Sequence, residues 1–378
     1  MLPTKSSLQI GELAAGQALT LPIYHFKPSD AKATGPKVYI QANVHGAEVQ
    51  GNAVIYQLMK QLEHCDIRGE ITLVPLANPL GINQKSGEFT LGRFDPITGV
   101  NWNREYLNHS IDLPTWYREH AHLSDVELVQ AYRSTLVEAC QQKLRTEWGI
   151  TTGHRLAVNL QAMAHQADIV LDLHTGPKSC KHLYCPEYDL AAAQFFSIPY
   201  TLVIPNSFGG AMDEAAFCPW WQLSDVAKAQ GRDLAVAVSA LTLELASQER
   251  VCLEDALVDA QGILAYLSHR GVIAETVAPA KMSRFGCYLK DYKKYHAPSS
   301  GLVEYLAPVG EPLAAGQPLV NLLRLDLYGT ADELKTLTLP LDCVPILHFA
   351  SASVHQGTEL YKVMTNLFEL PISNRQPS

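Results

Sequence analysis

The sequence predicts an α/β fold, with a mixed, largely parallel sheet flanked by helices and a small all-β module at its C-terminal end. Three observations carry this. Residues 37 to 77 read as strand, helix, strand, the crossover pattern that makes neighbouring strands parallel. Two later runs, Asp168-Ile169-Val170-Leu171-Asp172-Leu173 and Ala240-Leu241-Thr242-Leu243-Glu244-Leu245, are nearly all apolar and short, as strands covered on both faces are. After about residue 280 the texture changes to short β-type runs separated by Gly/Pro turns, such as Gly301 to Leu306 and Gly316 to Leu322.

The chain divides into a hairpin or extension over residues 1–34, an α/β domain over 35–278 and a β domain over 279–378. In the first part, Leu8 to Ile10 and Leu19 to Tyr24 are apolar enough for an edge hairpin, and a Pro/Gly-rich loop follows. Lys37 to Ala42 opens the sheet and runs on to His45-Gly46-Ala47-Glu48. Val49 to Leu62 has a helical period, and Ile71 to Ala77 is the next strand. Asn78 to His109 is loop-like, and a loop of that length in a compact domain is usually functional or disordered. Helices are expected over Asp125–Arg145, Arg155–Ala164 and Asp255–Ser268, with a further strand at Tyr200–Ile204. Phe217, Trp220 and Trp221, preceded by Asp213 and Glu214, are read as loop aromatics that either line a pocket or pack on the core. The β module resembles a barrel-sandwich domain of the biotinyl/lipoyl type but lacks a hairpin that would present a modified lysine.

Composition narrows the function. Of 378 residues, 47% are hydrophobic, enough for a large core. With 29 Lys+Arg against 38 Asp+Glu, a net charge of −9 and no basic run, no nucleic-acid partner is expected on electrostatic grounds. No apolar stretch reaches a membrane span, and the first residues carry no long apolar segment, so a cytoplasmic protein without membrane partners is expected. The eight cysteines have no Cys-x-x-Cys spacing and read as reduced thiols. Cys180-x-His182-x-x-Cys185 lacks a fourth ligand and looks like a strand. A homo-oligomer is left open.

The chemistry concentrates at strand ends, where open α/β sheets place their sites. His45 and Glu48 bring an imidazole and a carboxylate, both zinc-ligand types, to the end of the first parallel strand. A catalytic zinc takes three protein ligands, and His174, directly after Asp168–Leu173, supplies the third. Glu244, a carboxylate inside an apolar strand, is an acid/base candidate, because a buried carboxylate must be paired or pushed toward its neutral form.

Taken in order, His45-Gly46-Ala47-Glu48, Asn78-Pro79, Arg93-Phe94, Asn103-Arg104, Leu171-Asp172-Leu173-His174-Thr175 and Thr242-Leu243-Glu244 resemble the succinylglutamate desuccinylase/aspartoacylase family, a branch of the zinc carboxypeptidase-like fold. The resemblance spans about residues 37 to 270. It implies one zinc ion per chain on His45, Glu48 and His174, with Glu244 as general base. It further implies that Arg93 polarises the scissile carbonyl and that Asn103 and Arg104 receive a substrate carboxylate. The family's usual Asp-x-Asn-Arg reads Asn101-Trp102-Asn103-Arg104 here, so an acidic neighbour is expected to be missing beside Arg104. The implied activity is hydrolysis of an amide in an N-acyl amino acid or similar small carboxylate-bearing molecule. The alternatives are a zinc carboxypeptidase acting on peptides and a non-catalytic binding relative; retention of Glu244 argues against the last.

Overall fold

In the computed structural model, residues 2–28, 30 and 33–370 are described. The large sheet is built from β1 (Thr4–Glu12), β2 (Ala18–Phe26), β3 (Lys37–Ala42), β4 (Glu70–Val74), β5 (Ile169–Gly176), β6 (Lys181–Pro186), β7 (Tyr200–Ile204), β8 (Ser239–Ser247) and β9 (Phe285–Tyr288), with Phe368–Glu369 at its far edge. Their order across the sheet is β1-β2-β4-β3-β5-β8-β6-β7-β9. β3 is parallel to β4 and β5, β5 to β8, and β7 to β6 and β9; the hairpin β1/β2 and the β8/β6 pair are antiparallel. The mixed, largely parallel sheet expected from the sequence is therefore present.

Among the described residues, six helices of two turns or more flank it: α1 (Gln50–Leu62), α2 (Leu113–His120), α3 (Asp125–Leu144), α4 (Thr152–Ala164), α5 (Met212–Ala229) and α6 (Leu253–His269). Each face of the sheet has its own core. Helices α1 and α6 cover Val38, Ile40, Leu171 and Leu243, while α3, α4 and α5 cover Tyr39, Val170 and Ala240. Helix α3 starts at a capping box between Ser124 and Glu127 that satisfies backbone donors at both positions. Its buried stripe, Leu128, Tyr132, Leu136 and Cys140, repeats every four residues.

Two helices escape the sequence reading. The segment holding Phe217, Trp220 and Trp221 is not a loop but lies inside α5. Phe217 and Trp220 are core residues at 0% and 2% exposure, which settles the choice in favour of packing. Pro219 inside that helix is what obscured it, since proline ordinarily breaks a helix interior. Helix α2 is short and begins with Leu113-Pro114, a first-turn proline that needs no hydrogen-bond partner.

The C-terminal part forms two further antiparallel sheets from β10 (Tyr292–His296), β11 (Gly301–Tyr305), β12 (Pro318–Leu323), β13 (Leu334–Thr338), β14 (Val344–His348) and β15 (Glu359–Met364). Its own small core includes Val303, Leu319, Val320, Leu360 and Tyr361. β14 also pairs with Lys178–Ser179, just beyond β5, which brings this module against the end of the central strands. Among the described residues, no helix is long and apolar enough to cross a membrane. All eight cysteines are free, and Cys180, His182 and Cys185 lie on or beside β6 without converging on one point.

Candidate metal centre

Strand alternation assembles the site. On β5, Ile169, Leu171 and Leu173 face one core, so Val170, Asp172 and His174 face the other way. The same parity puts Gln41 of β3 and Thr242 and Glu244 of β8 on that second side. Register then does the rest: Gln41 is level with Asp172, and Glu244 with His174. At the carboxyl ends of three adjacent parallel strands, the apolar pattern gives way to polar groups.

The turn after β3 carries the other two donors. Asn43 takes a left-handed conformation (φ 68°) that Asn tolerates better than most residues, and its amide donates to the carbonyls of His45 and Gly46. Gly46 is required by contact rather than by torsion: a Cβ there would fall 2.0 Å from the Gly81 carbonyl oxygen. Gly92 is equally close to Gly81, and the Gly46 N–H donates to the Gly92 carbonyl at 2.7 Å. Asn78 holds the same layer together, donating to the Val44 carbonyl and capping the one-turn helix Pro79–Asn83 through its side-chain oxygen. This glycine layer lets the loop before Arg93 lie flat on the turn.

His45, Glu48 and His174 meet there, all buried, with one ligand atom of each within 4.8 Å of the others. Glu48 sits between the rings, its Oε1 2.9 Å from His45 Nδ1 and its Oε2 2.8 Å from His174 Nδ1. Burial alone would push the Glu48 carboxyl up, but the His45 charge and the hydrogen bonds from both imidazoles outweigh it and hold the carboxyl well below its usual range. Burial lowers the His45 pKa; at His174 burial is overcome by Asp172 and Glu48, which raise it well above the ordinary value. Two imidazoles and an ionised carboxylate, converging through Nδ1, Nδ1 and oxygen, form a donor set that suits zinc.

The outer nitrogens are held as well. His174 Nε2 lies 2.8 Å from Asp172 Oδ2, and Asp172 Oδ1 accepts from Gln41 at 2.9 Å. Gln41 is fixed in turn by Tyr39 and Tyr106. His45 Nε2 lies 2.8 Å from Asn101 Oδ1, the same oxygen that accepts from the Asn103 N–H. Such partners orient metal-ligating histidines and set the tautomer.

Glu244 occupies a central strand, not a sheet edge. Its Oε2 is buried without a hydrogen-bond partner. Burial, with Glu48 adding to it, raises the carboxyl to about 7, against the opposing charges of His174, Arg93 and Lys362. The β8/β5 register slips by one residue immediately after Glu244, where Ala246 has φ 76°, a bulge of the kind that re-aims side chains beside sites.

Residues 34–270 match the family model of the succinylglutamate desuccinylase/aspartoacylase catalytic domain. The chain belongs to that family. Solved structures agree: a family protein from Shewanella frigidimarina NCIMB 400 is 74% identical, with a TM-score of 0.96 over 98% of this chain and 99% of its own. Another from Shewanella amazonensis SB2B is 73% identical, with a TM-score of 0.95 over 97% and 100%. A succinylglutamate desuccinylase/aspartoacylase from Rhodobacter sphaeroides shares the fold at 20% identity, with a TM-score of 0.67 over 98% and 95%. None of the curated proteins matches the chain.

The family's remaining motif residues fall around the same centre. Arg93 Nη1 reaches Glu48 Oε1 at 3.0 Å with its side chain 46% exposed. Asn103 is buried, its Nδ2 3.5 Å from His174 Nε2 and its Oδ1 without a partner. Arg104 is exposed and donates to the Asn103 carbonyl at 2.6 Å. Asn101 stands elsewhere than expected. Its side chain turns to His45 because it caps the 3-10 turn Trp102–Arg104, so the family's acidic position bears on a histidine rather than on Arg104.

Sequence reasoning missed three contributors. Asp172 stands in the Leu171–Thr175 motif with no role assigned by the sequence, although its place two residues before His174 puts both on one strand face. Lys362 of β15 and Tyr292 of β10 come from the C-terminal module, with the Lys362 ammonium 5.9 Å from the Tyr292 ring. Burial lowers the Lys362 pKa, and its charge acts on Glu244. No spacing in the sequence links residue 362 to residue 244.

Proposed function

We propose that this protein is a zinc-dependent amidohydrolase that cleaves the amide bond of an N-acyl amino acid or a similar small carboxylate-bearing amide. The observation that carries the reading is the register pair His174–Glu244: a metal-type donor and an unpartnered carboxylate side by side, with His45 and Glu48 closing on the same point. Residues 35–278 are the hydrolase unit in this reading, and the β module of 279–378 rims its site.

His45, Glu48 and His174 are the residues that would hold the ion. Zinc in such a site acts as a Lewis acid and brings the pKa of coordinated water toward about 7. Glu244 Oε2 takes the proton from the attacking water and returns it to the leaving nitrogen; a carboxyl raised toward neutrality is matched to both steps. Arg93 offers a fixed cation to the oxyanion that develops on the scissile carbonyl. Asn103 and Arg104 offer an amide and a guanidinium fork to one substrate carboxylate. Asp172 and Asn101 keep the two imidazoles turned so that both Nδ1 atoms face inward.

Turnover of a panel of N-acyl amino acids, their methyl esters and short peptides by zinc-loaded protein tests the proposal. Free-carboxylate N-acyl amino acids should be hydrolysed and their esters should lose much of their kcat/KM, because a cation left without its anion is costly. Equal rates on neutral and anionic versions, or turnover of peptides alone, would overturn it.

A further inference from the structure

A second group of ligand-type side chains lies apart from that site. His109 in the loop after Trp102–Arg104, Cys140 on α3 and His165 at the C-cap of α4 bring two imidazoles and a thiol together, with one ligand atom of each within 4.8 Å of the others. We propose that His109, Cys140 and His165 form a binding site for a soft, thiophilic metal ion, Cu+ ahead of Zn2+.

Placement is secured from all three elements. Gln161 of α4 accepts from the Leu107 N–H at 2.7 Å and donates to the Leu107 carbonyl at 2.9 Å, which fixes the loop that carries His109. Arg133 of α3 donates to the His165 carbonyl at 3.1 Å and holds the C-terminus of α4. His109 Nε2 and His165 Nε2 stand 2.8 Å apart, with the Gln161 amide nitrogen 3.3 Å from each.

That arrangement is not a closed hydrogen-bond network. One ring donates to the other through Nε2, so one Nδ1 is left as a bare acceptor and the other as an N–H donor. Both are buried without partners. A cation between the two Nε2 atoms takes both rings in the Nδ1–H tautomer, with each Nε2 lone pair turned to the ion. Burial drives the His109 pKa down to about 4 and that of His165 well below its ordinary value, which leaves both rings neutral with a lone pair to offer.

Charge decides which ion fits. No carboxylate belongs to the group, and the nearest named charge is Arg133, whose own partner is Asp168. A divalent ion with one thiolate would leave an uncompensated positive charge in a buried place, whereas Cu+ with one thiolate and two neutral imidazoles is neutral. Burial raises the Cys140 thiol to about 12, so the incoming ion must displace that proton. With three ligands in a trigonal arrangement, metal–nitrogen bonds of about 2.0 Å set two ligand nitrogens roughly 3.5 Å apart, so the Nε2 atoms, now 2.8 Å apart, open by about 0.7 Å. His109 is only partly buried, which leaves a way in. A bound ion would tie the Asn103–Arg104 loop to the α3/α4 pair.

The test is anaerobic competition for Cu+ against bicinchoninate, in wild type, Cys140→Ser, His109→Ala and His174→Ala. Wild type and His174→Ala should each withdraw about one Cu+ per chain, and the other two should lose at least tenfold in affinity. His109→Ala alters a partly buried loop residue and keeps the test decisive should Cys140→Ser fold poorly. It also separates this site from adventitious capture by other thiols, which it leaves intact. Equal uptake by all four proteins, or none by wild type, would overturn the proposal. A parallel Zn2+ titration should give one ion per chain that His174→Ala removes and Cys140→Ser leaves. Two zinc ions, one lost with Cys140, would overturn the preference for a monovalent ion.

Discussion

The two His-containing groups differ most in what surrounds them. His45, Glu48 and His174 stand at the ends of central strands among acids: Glu48 itself, Asp172 and, further out, Asp213, all buried, and the partly buried Glu244. His109, Cys140 and His165 stand on helices and a loop with no acid among them and a guanidinium nearby. The first group has carboxylates, Glu48 among the ligand atoms and Asp172 behind them, that would offset a divalent cation, and its imidazoles have partners on both ring nitrogens. The second has neither. In the proposed hydrolase both features have a use: the carboxylates would hold the ion, and Glu244 would move protons. Substitutions that alter this acidity are the direct way to probe the contrast.

The largest effect is expected at Glu244, the acid with no hydrogen-bond partner on Oε2. Glu244→Gln should retain the metal and the fold while turnover falls by about 10² to 10⁴, the usual contribution of a general acid–base group. Metal content and kcat measured on the same preparation decide it. Near-normal kcat would remove Glu244 from the mechanism, and loss of metal would make it a ligand.

Next comes Asp213, whose carboxyl burial raises to about 7, with Glu214 and Asp172 adding to the rise. The sign is that of a raised acid. Between the unfolded value of 3.8 and about 7, the folded protein keeps a proton that the unfolded chain has lost. This contribution is therefore full below about 3.8 and is lost as pH rises through 7. A rise of that size corresponds to at most about 4 kcal/mol, reduced by relaxation around the group. Asp213→Asn keeps an oxygen for the Glu214 N–H and should melt higher than wild type at pH 8, with the gap closing toward pH 4. A gap independent of pH would show that Asp213 is not held protonated.

These acids also mark how far the sequence could be read. The strands Lys37–Ala42, Asp168–Leu173 and Ala240–Leu245 were legible because a covered strand must be apolar, and the donors stood out where that pattern stopped. Glu244 was legible as a carboxylate out of place. What joins distant segments was not. Lys362 reaches the site only because β14 and β15 pack beside Lys178–Ser179, and nothing local in the sequence encodes that contact. His109, Cys140 and His165 are separated by 31 and 25 positions, with no ligand spacing to flag them. Helix α5 was hidden by its own Pro219, whose cost the surrounding core of Phe217, Trp220 and Leu223 overrides.

Asp172 tests the outer layer of the first group. Asp172→Asn keeps the shape and removes the charge behind His174, and partners of this type typically alter metal affinity by about 10- to 100-fold. Zinc affinity by chelator competition should fall within that range. An unchanged affinity would mean that the Asp172–His174 contact at 2.8 Å is packing rather than tuning.

The smallest effect is expected at Asn101, which treats His45 as Asp172 treats His174 but without charge. The pair of histidines is thus asymmetric: one is backed by a carboxylate, the other by an amide oxygen at 2.8 Å. Asn101→Asp would make the two alike while keeping the acceptor for the Asn103 N–H. A carboxylate behind an imidazole raises its basicity, so zinc affinity should rise by less than about tenfold, the lower bound for removing such a partner. It would also stabilise protonated His45 in the metal-free protein, so the gain should shrink at lower pH, where protons compete with the ion. Arg104 donates to a backbone carbonyl and not to Asn101, so the preference for a substrate carboxylate should not change. If Asn101→Asp left zinc binding alone and weakened the carboxylate preference instead, the residue would be serving Arg104, as its place in the motif first implied, and not His45.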